Sequence, residues 1–168
     1  MKRLLVTGSR AWQDRNLIRV ALRSAVLSLG VPTREITLVH GDAQGADRMA
    51  GYIGRQMGMV IEAHPANWRR CTDECIHDLR AAKKYCPDAG YRRNAEMIAT
   101  MPVGSLTLAF AANIPSGTSG CAQVTRRCGL TVVDWGADTT VDRRRMLDRW
   151  VDHVHTLQAG QVGATASQ

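Results

Sequence analysis

The sequence VHGDAQGAD occupies residues 39–47 and predicts a strand end, a small-residue loop and a helix start. A mostly apolar run at residues 36–39 leads into it, and apolar residues then recur at helical spacing: Ala46, Met49, Ala50, Ile53 and Met57. Such a junction is how α/β proteins build phosphate sites, because glycines let backbone N–H groups approach an anion and the helix N-terminus adds partial positive charge. Asp42 and Asp47 would repel a bare phosphate, so they suit ribose hydroxyls, a water or helix capping better. A tight turn with an aspartate cap remains the alternative.

Composition indicates an ordinary globular protein. Its 168 residues are enough for one α/β domain with a real core, and 45% of them are hydrophobic. No apolar run approaches the ~20 residues of a membrane span, and residues 1–6 are too short for a signal peptide, so we expect a cytoplasmic protein that makes no membrane contact. The five cysteines are then reduced or metal-bound. The net charge of +7 favours anionic ligands.

The pattern of strand, small-residue loop and helix recurs along the chain. The apolar strand at residues 3–7 ends in Gly8-Ser9-Arg10-Ala11-Trp12, and the strand at residues 106–111 leads to Ser116-Gly117-Thr118-Ser119. Hydroxyls and backbone N–H groups cluster in the latter, as an anion site requires. We predict a single Rossmann-like, doubly wound, mainly parallel sheet with helices on both faces, whose loops meet at the carboxyl edge. The predicted domain covers residues 1–157, and residues 158–168 are a disordered tail.

Residues 67–90 interrupt this pattern as a Cys-rich insertion with little apolar periodicity. It supplies three thiols and one imidazole with the spacing C-x3-C-x-H-x8-C: Cys71, Cys75, His77 and Cys86. That is the ligand count of a closed tetrahedral zinc site, which would be structural because four protein ligands leave no open position. His64 is the alternative to His77, and scattered thiols in a polar loop are the alternative to a Zn²⁺ site.

An Arg-Asn pair follows the insertion and opens the next helix. In a first turn, Arg93 and Asn94 can grip a phosphate or a ribose, and arginine does so bidentately. A solvated charged face is the ordinary alternative, because the surrounding stretch is rich in arginine and lysine.

Five motifs between residues 2 and 133 occur in a recognisable order: Val6-Thr7-Gly8-Ser9-Arg10, then residues 40–47, His64-Pro65-Ala66-Asn67-Trp68, Arg93-Asn94-Ala95-Glu96-Met97 and Gly117-Thr118. Together they resemble the SLOG superfamily, and most closely its YspA-related branch, once known only as a domain of unknown function. Small proteins of this branch are frequent in actinobacteria and their phages. The resemblance implies a Rossmann-like sheet with a site for a nucleotide or nucleotide derivative at its carboxyl edge.

The resemblance also implies which residues bind that ligand. They fall in four motifs: Gly8, Ser9 and Arg10; Gly41, Gly45, Ala46 and Asp47; Arg93 and Asn94; Gly117 and Thr118. Asp42 stands where the family usually has another glycine. The character of the loops adds Trp12, Asp42 and Ser119 to the candidate ligand-binding residues.

Three functions follow from these observations. We favour a binding module that senses, sequesters or carries a nucleotide-like ligand, with loop amides on phosphate, Arg10 and Arg93 neutralising charge, and Asp47 or Asn94 on ribose hydroxyls. A homodimer is a further expectation, because the apolar stripe of the last helix suits either a core or an interface.

The second candidate is a nucleoside 5′-monophosphate phosphoribohydrolase of the LOG kind, which hydrolyses cytokinin nucleotides and carries a Pro-Gly-Gly-x-Gly-Thr-x-x-Glu motif. Here the glutamate position falls on Cys121, and a thiol cannot replace that carboxylate. Glu96 is the substitute, although nothing in the sequence places it. The third candidate, which is not favoured, is single-stranded DNA binding by analogy to the DNA-processing protein DprA. The basic stretch supports it, and an aromatic content of 5% opposes it.

Overall fold

The computed structural model describes residues 1–73, 75, 85–111, 117–136 and 144–165, with the backbone alone at residues 117–119, 144–149 and 161–165. His77 and Ser116 lie outside the described residues. In this part of the chain strands and helices alternate: β1 (Lys2–Gly8), α1 (Arg15–Leu29), β2 (Ile36–His40), α2 (Ala46–Gln56), β3 (Val60–Ala63), α3 (Ala89–Ala99), β4 (Leu106–Phe110), α4 (Gly117–Arg127), β5 (Thr131–Trp135) and α5 (Arg144–Thr165).

The five strands form one parallel sheet in the order β3-β2-β1-β4-β5. The chain winds outward from β1 to β3, then crosses over β1 to build β4 and β5 on the other side. This is the doubly wound order, in which ligands bind outside the carboxyl ends of the strands. The predicted fold class is confirmed. The end of β1 lies between its neighbours, with Val6 opposite His40 and Gly8 opposite Phe110.

Each face of the sheet has its own apolar layer. Helices α1 and α2 cover the face to which Leu4 and Val6 of β1 point. Helices α3, α4 and α5 cover the opposite face, to which Leu5 points. The side chains of β1 are therefore buried on both sides, which is why its sequence reads as a continuous apolar run. Burial of each such leucine stabilises the fold by about 2 kcal/mol.

The helix boundaries follow local capping chemistry. Asp14 accepts a hydrogen bond from the Leu17 backbone N–H at 2.9 Å, and Gly30 ends α1 in the left-handed conformation at φ 65°. Helix α5 continues to Thr165, so residues 158–165, which the sequence predicts as part of a disordered tail, are helical. A helix that is already nucleated propagates cheaply through small and polar residues, which composition alone does not indicate.

The apolar stripe of α5 packs into the core, where Trp150 and Val154 are buried. It therefore gives no separate support to the expected homodimer. Within the described residues, no helix is both long and apolar enough to cross a membrane.

Gly8 sets how closely α2 approaches the sheet. A Cβ on Gly8 would lie 2.1 Å from the Cβ of Ala46, the first residue of α2, and 3.0 Å from the Cβ of Phe110. Real Cβ atoms do not approach so closely, so the glycine is what allows the helix to start directly against the end of β1.

This contact predicts a large cost for Gly8→Ala. The methyl group must displace α2 or the end of β4, and we expect a loss of about 3 kcal/mol in the free energy of unfolding, measured by urea denaturation. Gly160→Ala is the matched control, because a Cβ there meets nothing within 4 Å. It should leave stability unchanged or raise it by up to ~1 kcal/mol. Equal stabilities of the two variants would contradict this account of the packing.

Candidate functional site: a cleft at the carboxyl edge of the sheet

A cleft of about 430 Å³ lies at the carboxyl ends of the strands. It is lined by the loop after β1, by the loop after β2, by Trp68 and by the segment that enters α3: Thr7, Gly8, Ser9, Arg10, Ala11, Ala43, Asp47, Trp68, Pro87, Gly90, Tyr91, Arg93 and Asn94. A second cavity of about 790 Å³ adjoins it, and Arg10, Trp68 and Arg93 line both. The cleft thus brings together loops that are far apart in sequence, as the parallel topology predicts.

Asp47 holds two of these loops together. Its side chain is 3% exposed, and its two oxygens accept hydrogen bonds from the backbone N–H groups of Gly8 and Gly41, each at 3.1 Å. The Ala43 N–H also bonds to this carboxylate. The residue is therefore a structural tie between the ends of β1 and β2 at the floor of the cleft.

The surroundings of Asp47 act on its pKa in opposite directions. Burial disfavours the charged form, whereas the Arg93 guanidinium and three backbone N–H groups favour it. Burial is the largest of these effects and raises the pKa of Asp47 to about 6.

The loop amides have acceptors within the protein. The Ser9 carbonyl accepts the Ala46 and Trp12 N–H groups, each at 3.2 Å, and the Ser9 N–H donates to the Phe110 carbonyl at 2.8 Å. Gly45 permits this contact, because a Cβ there would lie 2.3 Å from the Ser9 carbonyl oxygen. The amides expected to cradle a phosphate are thus largely bonded to Asp47, Ser9 and Phe110. An anion in the cleft has to be met mainly by side chains.

Two arginines supply that positive charge. Arg93 Nη1 donates to the carbonyl oxygens of Gly41 and, at 3.2 Å, of His64, while its Nε donates to Asn94 Oδ1 at 2.9 Å. The Arg10 guanidinium carbon lies 5.4 Å from the centre of the Trp68 ring, a cation–π distance. Among the ion pairs of the described residues, neither guanidinium has a carboxylate partner.

A cluster of three thiols lies behind Trp68. The Sγ atoms of Cys71, Cys75 and Cys86 are all within 4.8 Å of one another, and Cys75 and Cys86 are 3.4 Å apart. Since a disulfide needs an S–S distance of about 2.05 Å, no disulfide joins these three sulfur atoms. The Cys86 N–H donates to the Trp68 carbonyl at 2.7 Å, so the cluster is bonded directly to the wall of the cleft.

Arg92 connects the thiols to α3. It is buried, and its Nη1 donates to Cys75 Sγ at 3.3 Å and to Thr72 Oγ1 at 3.1 Å, while Nη2 donates to the Arg70 carbonyl at 2.9 Å. Burial opposes ionisation of Cys86, but hydrogen bonds from its neighbours and the Arg92 charge outweigh it and lower the pKa of that thiol. Arg92 and Arg93 thus point from one helical turn to two different centres.

Comparison with known proteins identifies the relatives of this chain. The model of the YspA, cpYpsA-related SLOG family matches residues 2–71. The "Gene 61 protein" of Mycobacterium phage D29 is 31% identical over 141 residues, which cover 81% of this chain and 98% of that protein. The chain belongs to the YspA-related SLOG family.

A solved structure supports the fold assignment. The X-ray structure of DNA processing protein A (DprA) from Streptococcus pneumoniae superposes with a TM-score of 0.52 at 17% identity. The match covers 94% of this chain but only 56% of that one. At this identity the likeness concerns the fold, which is the one that the SLOG motifs predict.

The geometry explains an unusual residue in the second SLOG motif. Asp42 stands where the family usually has glycine, and its φ of 50° lies in the left-handed region. Aspartate adopts this conformation more readily than most residues, so it replaces glycine with little strain. The Asp42 N–H donates to Nδ1 of the buried His40 at 3.0 Å, which fixes the turn.

The position of the LOG glutamate lies under the cleft. Cys121 is buried in α4 and hydrogen-bonds the Thr7 side chain, and burial raises its pKa to about 11. The thiol is therefore neutral near pH 7. Glu96, the substitute considered from the sequence, is exposed on α3 and is absent from the lining of the cleft. Among the described residues, Asp47 is the one carboxylate that lines it.

Several predicted site residues do not line the cleft, and others have side chains outside the described part of the chain. Trp12 packs edge-on against Phe110 at 5.3 Å and donates from Nε1 to the Asp14 carbonyl, so it covers the core and does not line the cleft. Gly117, Thr118 and Ser119 form the first turn of α4, where the backbone alone is described. His64 donates to or accepts from Glu62 at 2.7 Å and is not part of the thiol group.

Trp68, Pro87 and Tyr91 line the cleft although the sequence does not single them out as ligand-binding residues. Tyr91 stacks on Trp150 with ring centres 6.1 Å apart, and the Trp68 ring lies against Gly90. The signal for Trp68 was its place as the last residue of the third SLOG motif. Tyr91 directly precedes the Arg92-Arg93-Asn94 run, and no sequence pattern marks it as a residue that lines the cleft.

The raised pKa of Asp47 predicts a pH dependence of stability. Because the folded-state pKa of about 6 exceeds the ordinary value of 3.8, the contribution of Asp47 to the free energy of unfolding is greatest below pH ~4. It falls by about 3 kcal/mol as the pH rises through 6.

Urea denaturation of wild type and Asp47→Asn between pH ~4 and ~8 measures this effect, and the difference between the two proteins should decline over that range. A carboxyl ¹³C titration of the wild-type protein reports the pKa directly. A difference that stays constant with pH, together with a midpoint near the ordinary value, would contradict the prediction.

Proposed function

We propose that the cleft binds a nucleotide or a nucleotide-derived ligand through its phosphate groups. The observation that carries the proposal is the pair Arg10 and Arg93, which line one cleft and have no carboxylate partner among the described residues. A guanidinium in that position favours phosphate, which it can bind bidentately. The cleft volume of about 430 Å³ is in the range of small-ligand sites. Membership of the SLOG family supports the same ligand class.

The walls of the cleft suggest how the rest of the ligand binds. We assign the base to the side of the cleft that Trp68 and Tyr91 line, because both are aromatic. Asn94 accepts from Arg93 Nε, which leaves its amide nitrogen as a donor to a ribose or phosphate oxygen. Asp47 supports the loops beneath the ligand, because its oxygens are already bonded to backbone N–H groups.

We favour binding over hydrolysis for the same site. Asp47 is occupied by three backbone donors, and the position of the LOG glutamate holds the neutral thiol of Cys121. The backbone donors engage Asp47 in holding the loops, and a neutral thiol suits neither a general base nor the stabilisation of an oxocarbenium-like centre. The protein would then sense, sequester or carry the nucleotide.

We further propose that Cys71, Cys75 and Cys86 hold a structural Zn²⁺. In a tetrahedral site with Zn–S bonds of about 2.3 Å, sulfur atoms lie about 3.8 Å apart. The observed spread, from 3.4 Å to within 4.8 Å, fits that requirement. His77 stays the predicted fourth ligand. A thiolate site of this kind suits the reducing cytoplasm.

The metal would stabilise the cleft indirectly. Cys86 bonds to the Trp68 carbonyl, and Cys75 accepts from Arg92, the residue before Arg93. Fixing the thiols would therefore fix both Trp68 and the N-terminal half of α3, in which Arg93 is the fifth residue and not, as the sequence predicts, part of the first turn.

Replacement of the cleft arginines tests the ligand proposal. We expect Arg10→Ala to weaken binding of nucleoside mono- and diphosphates by about tenfold, with little change in Tm, because one charge-assisted hydrogen bond contributes about 1.5 kcal/mol. Arg93→Ala should weaken it further and lower Tm, since Arg93 also bonds two loop carbonyls. Isothermal titration calorimetry measures affinity. Arg34→Ala, an exposed arginine outside the cleft, is the control. Unchanged affinity in both cleft variants would remove these arginines from the site.

Native mass spectrometry tests the zinc proposal. We expect one zinc per chain in wild type and in Cys128→Ser, a matched control directly after α4, and none in Cys75→Ser. Chelation or Cys75→Ser should lower Tm by about 10 °C, as a loss of ~3–4 kcal/mol does in a chain of this size. It should also weaken nucleotide binding, because Trp68 and Arg93 lose their support. A wild-type chain that carries no metal, or a Tm indifferent to chelation, would reject the proposal.

A further inference from the structure

The outer surface of α1 and α2 carries charge of one sign. Helix α1 contributes three arginines and no aspartate or glutamate: Arg15, Arg19 and Arg23. Helix α2 contributes Arg48 and Arg55, and its one acidic residue, Asp47, is 3% exposed. Ordinary protein surfaces intersperse both signs. Three of these arginines, Arg15, Arg19 and Arg48, line one groove between the helices. The exposed N-cap Asp14 precedes Arg15, and Asp42 pairs with Arg48, so the arginines of α1 and α2 outnumber the neighbouring acids and favour a polyanion.

A groove of about 330 Å³ runs between the two helices on this face. Its cationic walls are Arg15, Arg19 and Arg48, and the side chain of Tyr52 stands 60% exposed beside them. Among the ion pairs of the described part of the chain, one involves this groove: Asp42 Oδ1 accepts from Arg48 Nε at 3.1 Å.

The spacing of the arginines suits a chain of phosphates. On α1 they recur every four residues, about 6 Å apart along the axis, so the stripe is about 12 Å long. A single strand carries one negative charge per nucleotide along a flexible backbone, so a stripe of this length can meet successive phosphates of one strand. The guanidinium groups match phosphate oxygens in pairs.

We propose that the face formed by α1 and α2 binds a single strand of nucleic acid through its phosphate backbone, independently of base sequence. The arginines neutralise successive phosphates, and the exposed Tyr52 ring offers a surface on which a base stacks. Gln44 and Arg48 line both the groove and the 790 Å³ cavity beside the cleft. A strand in the groove therefore reaches the mouth of the nucleotide site.

The chemistry of the face favours nucleic acid over an anionic membrane. A membrane-bound helix inserts its apolar side, but the apolar side of α1, with Ile18 and Leu22, is fully buried against the sheet. The exposed Val20 and Leu27 are seven residues apart, about 10 Å along α1, and two such side chains do not form an inserting face. The charges are all arginine, the residue that reads phosphate bidentately.

Fluorescence anisotropy with labelled oligothymidine of about 20 nucleotides tests the proposal. Wild type should bind, and the double variant Arg19→Glu, Arg23→Glu should bind at least about tenfold more weakly. The slope of log affinity against log salt should become shallower by about 1.4, because each phosphate contact on a single strand contributes ~0.7. The control Lys2→Glu, Arg34→Glu makes the same change in net charge at the amino-terminal edge of the sheet, away from the groove. It should keep nearly full affinity.

Further variants and ligands separate the possible causes of a change in oligonucleotide affinity. Tyr52→Ala should weaken binding, and Tyr52→Phe should restore it. Arg10→Ala should retain oligonucleotide binding, and the α1 double variant should retain nucleotide binding, which separates this face from the cleft. Equal losses in both double variants, no binding by wild type at ~50 mM salt, or tighter binding of a duplex or of phosphatidylserine vesicles would overturn the proposal. Circular dichroism verifies that each variant is folded.

Discussion

The contact on which the site depends is the buried carboxylate of Asp47 bonded to the backbone of two loops. Its oxygens take the Gly8 and Gly41 N–H groups, which would otherwise point into the cleft. In a typical glycine-loop site these donors belong to the ligand phosphate. Here the protein supplies its own anion, and the loops are fixed before any ligand arrives. Burial disfavours the ionised form of this carboxylate. Its pKa therefore rises to about 6, although three backbone amides and Arg93 favour ionisation.

Two adjacent residues of α3 contact two different parts of the site. Arg92 turns to the thiol cluster, where it bonds Cys75 Sγ, and Arg93 turns to the carbonyls of Gly41 and His64. Because both residues are neighbours on one helix, α3 links the thiol cluster directly to the wall of the cleft. The Cys86 N–H bond to the Trp68 carbonyl gives a second link in the same direction. The insertion is therefore mechanically part of the site.

The sequence predicts the sheet and the loops well for physical reasons that are local. Leu4, Leu5 and Val6 form a continuous apolar run because both faces of β1 are covered, and Asp14 and Gly30 cap α1 as their chemistry requires. Where each aromatic side chain packs is not decided by its neighbours in the sequence. Trp12 and Trp68 both follow strand ends, yet one packs on Phe110 and the other lines the cleft. That choice depends on which neighbour the fold brings near, and so does the acceptor of each loop amide.

The charge pattern of the cleft bears on what it can do to a ligand. Its one lining carboxylate among the described residues is held by backbone donors, and the buried thiol of Cys121 stays protonated because burial raises its pKa to about 11. Arg10 and Arg93 line the same cleft, and neither has a carboxylate partner among the described residues. On the proposed function, this positive charge lowers the energy of a bound phosphate, while the backbone bonds of Asp47 keep that carboxylate in the support of the loops. We therefore propose retention of the ligand and not its hydrolysis.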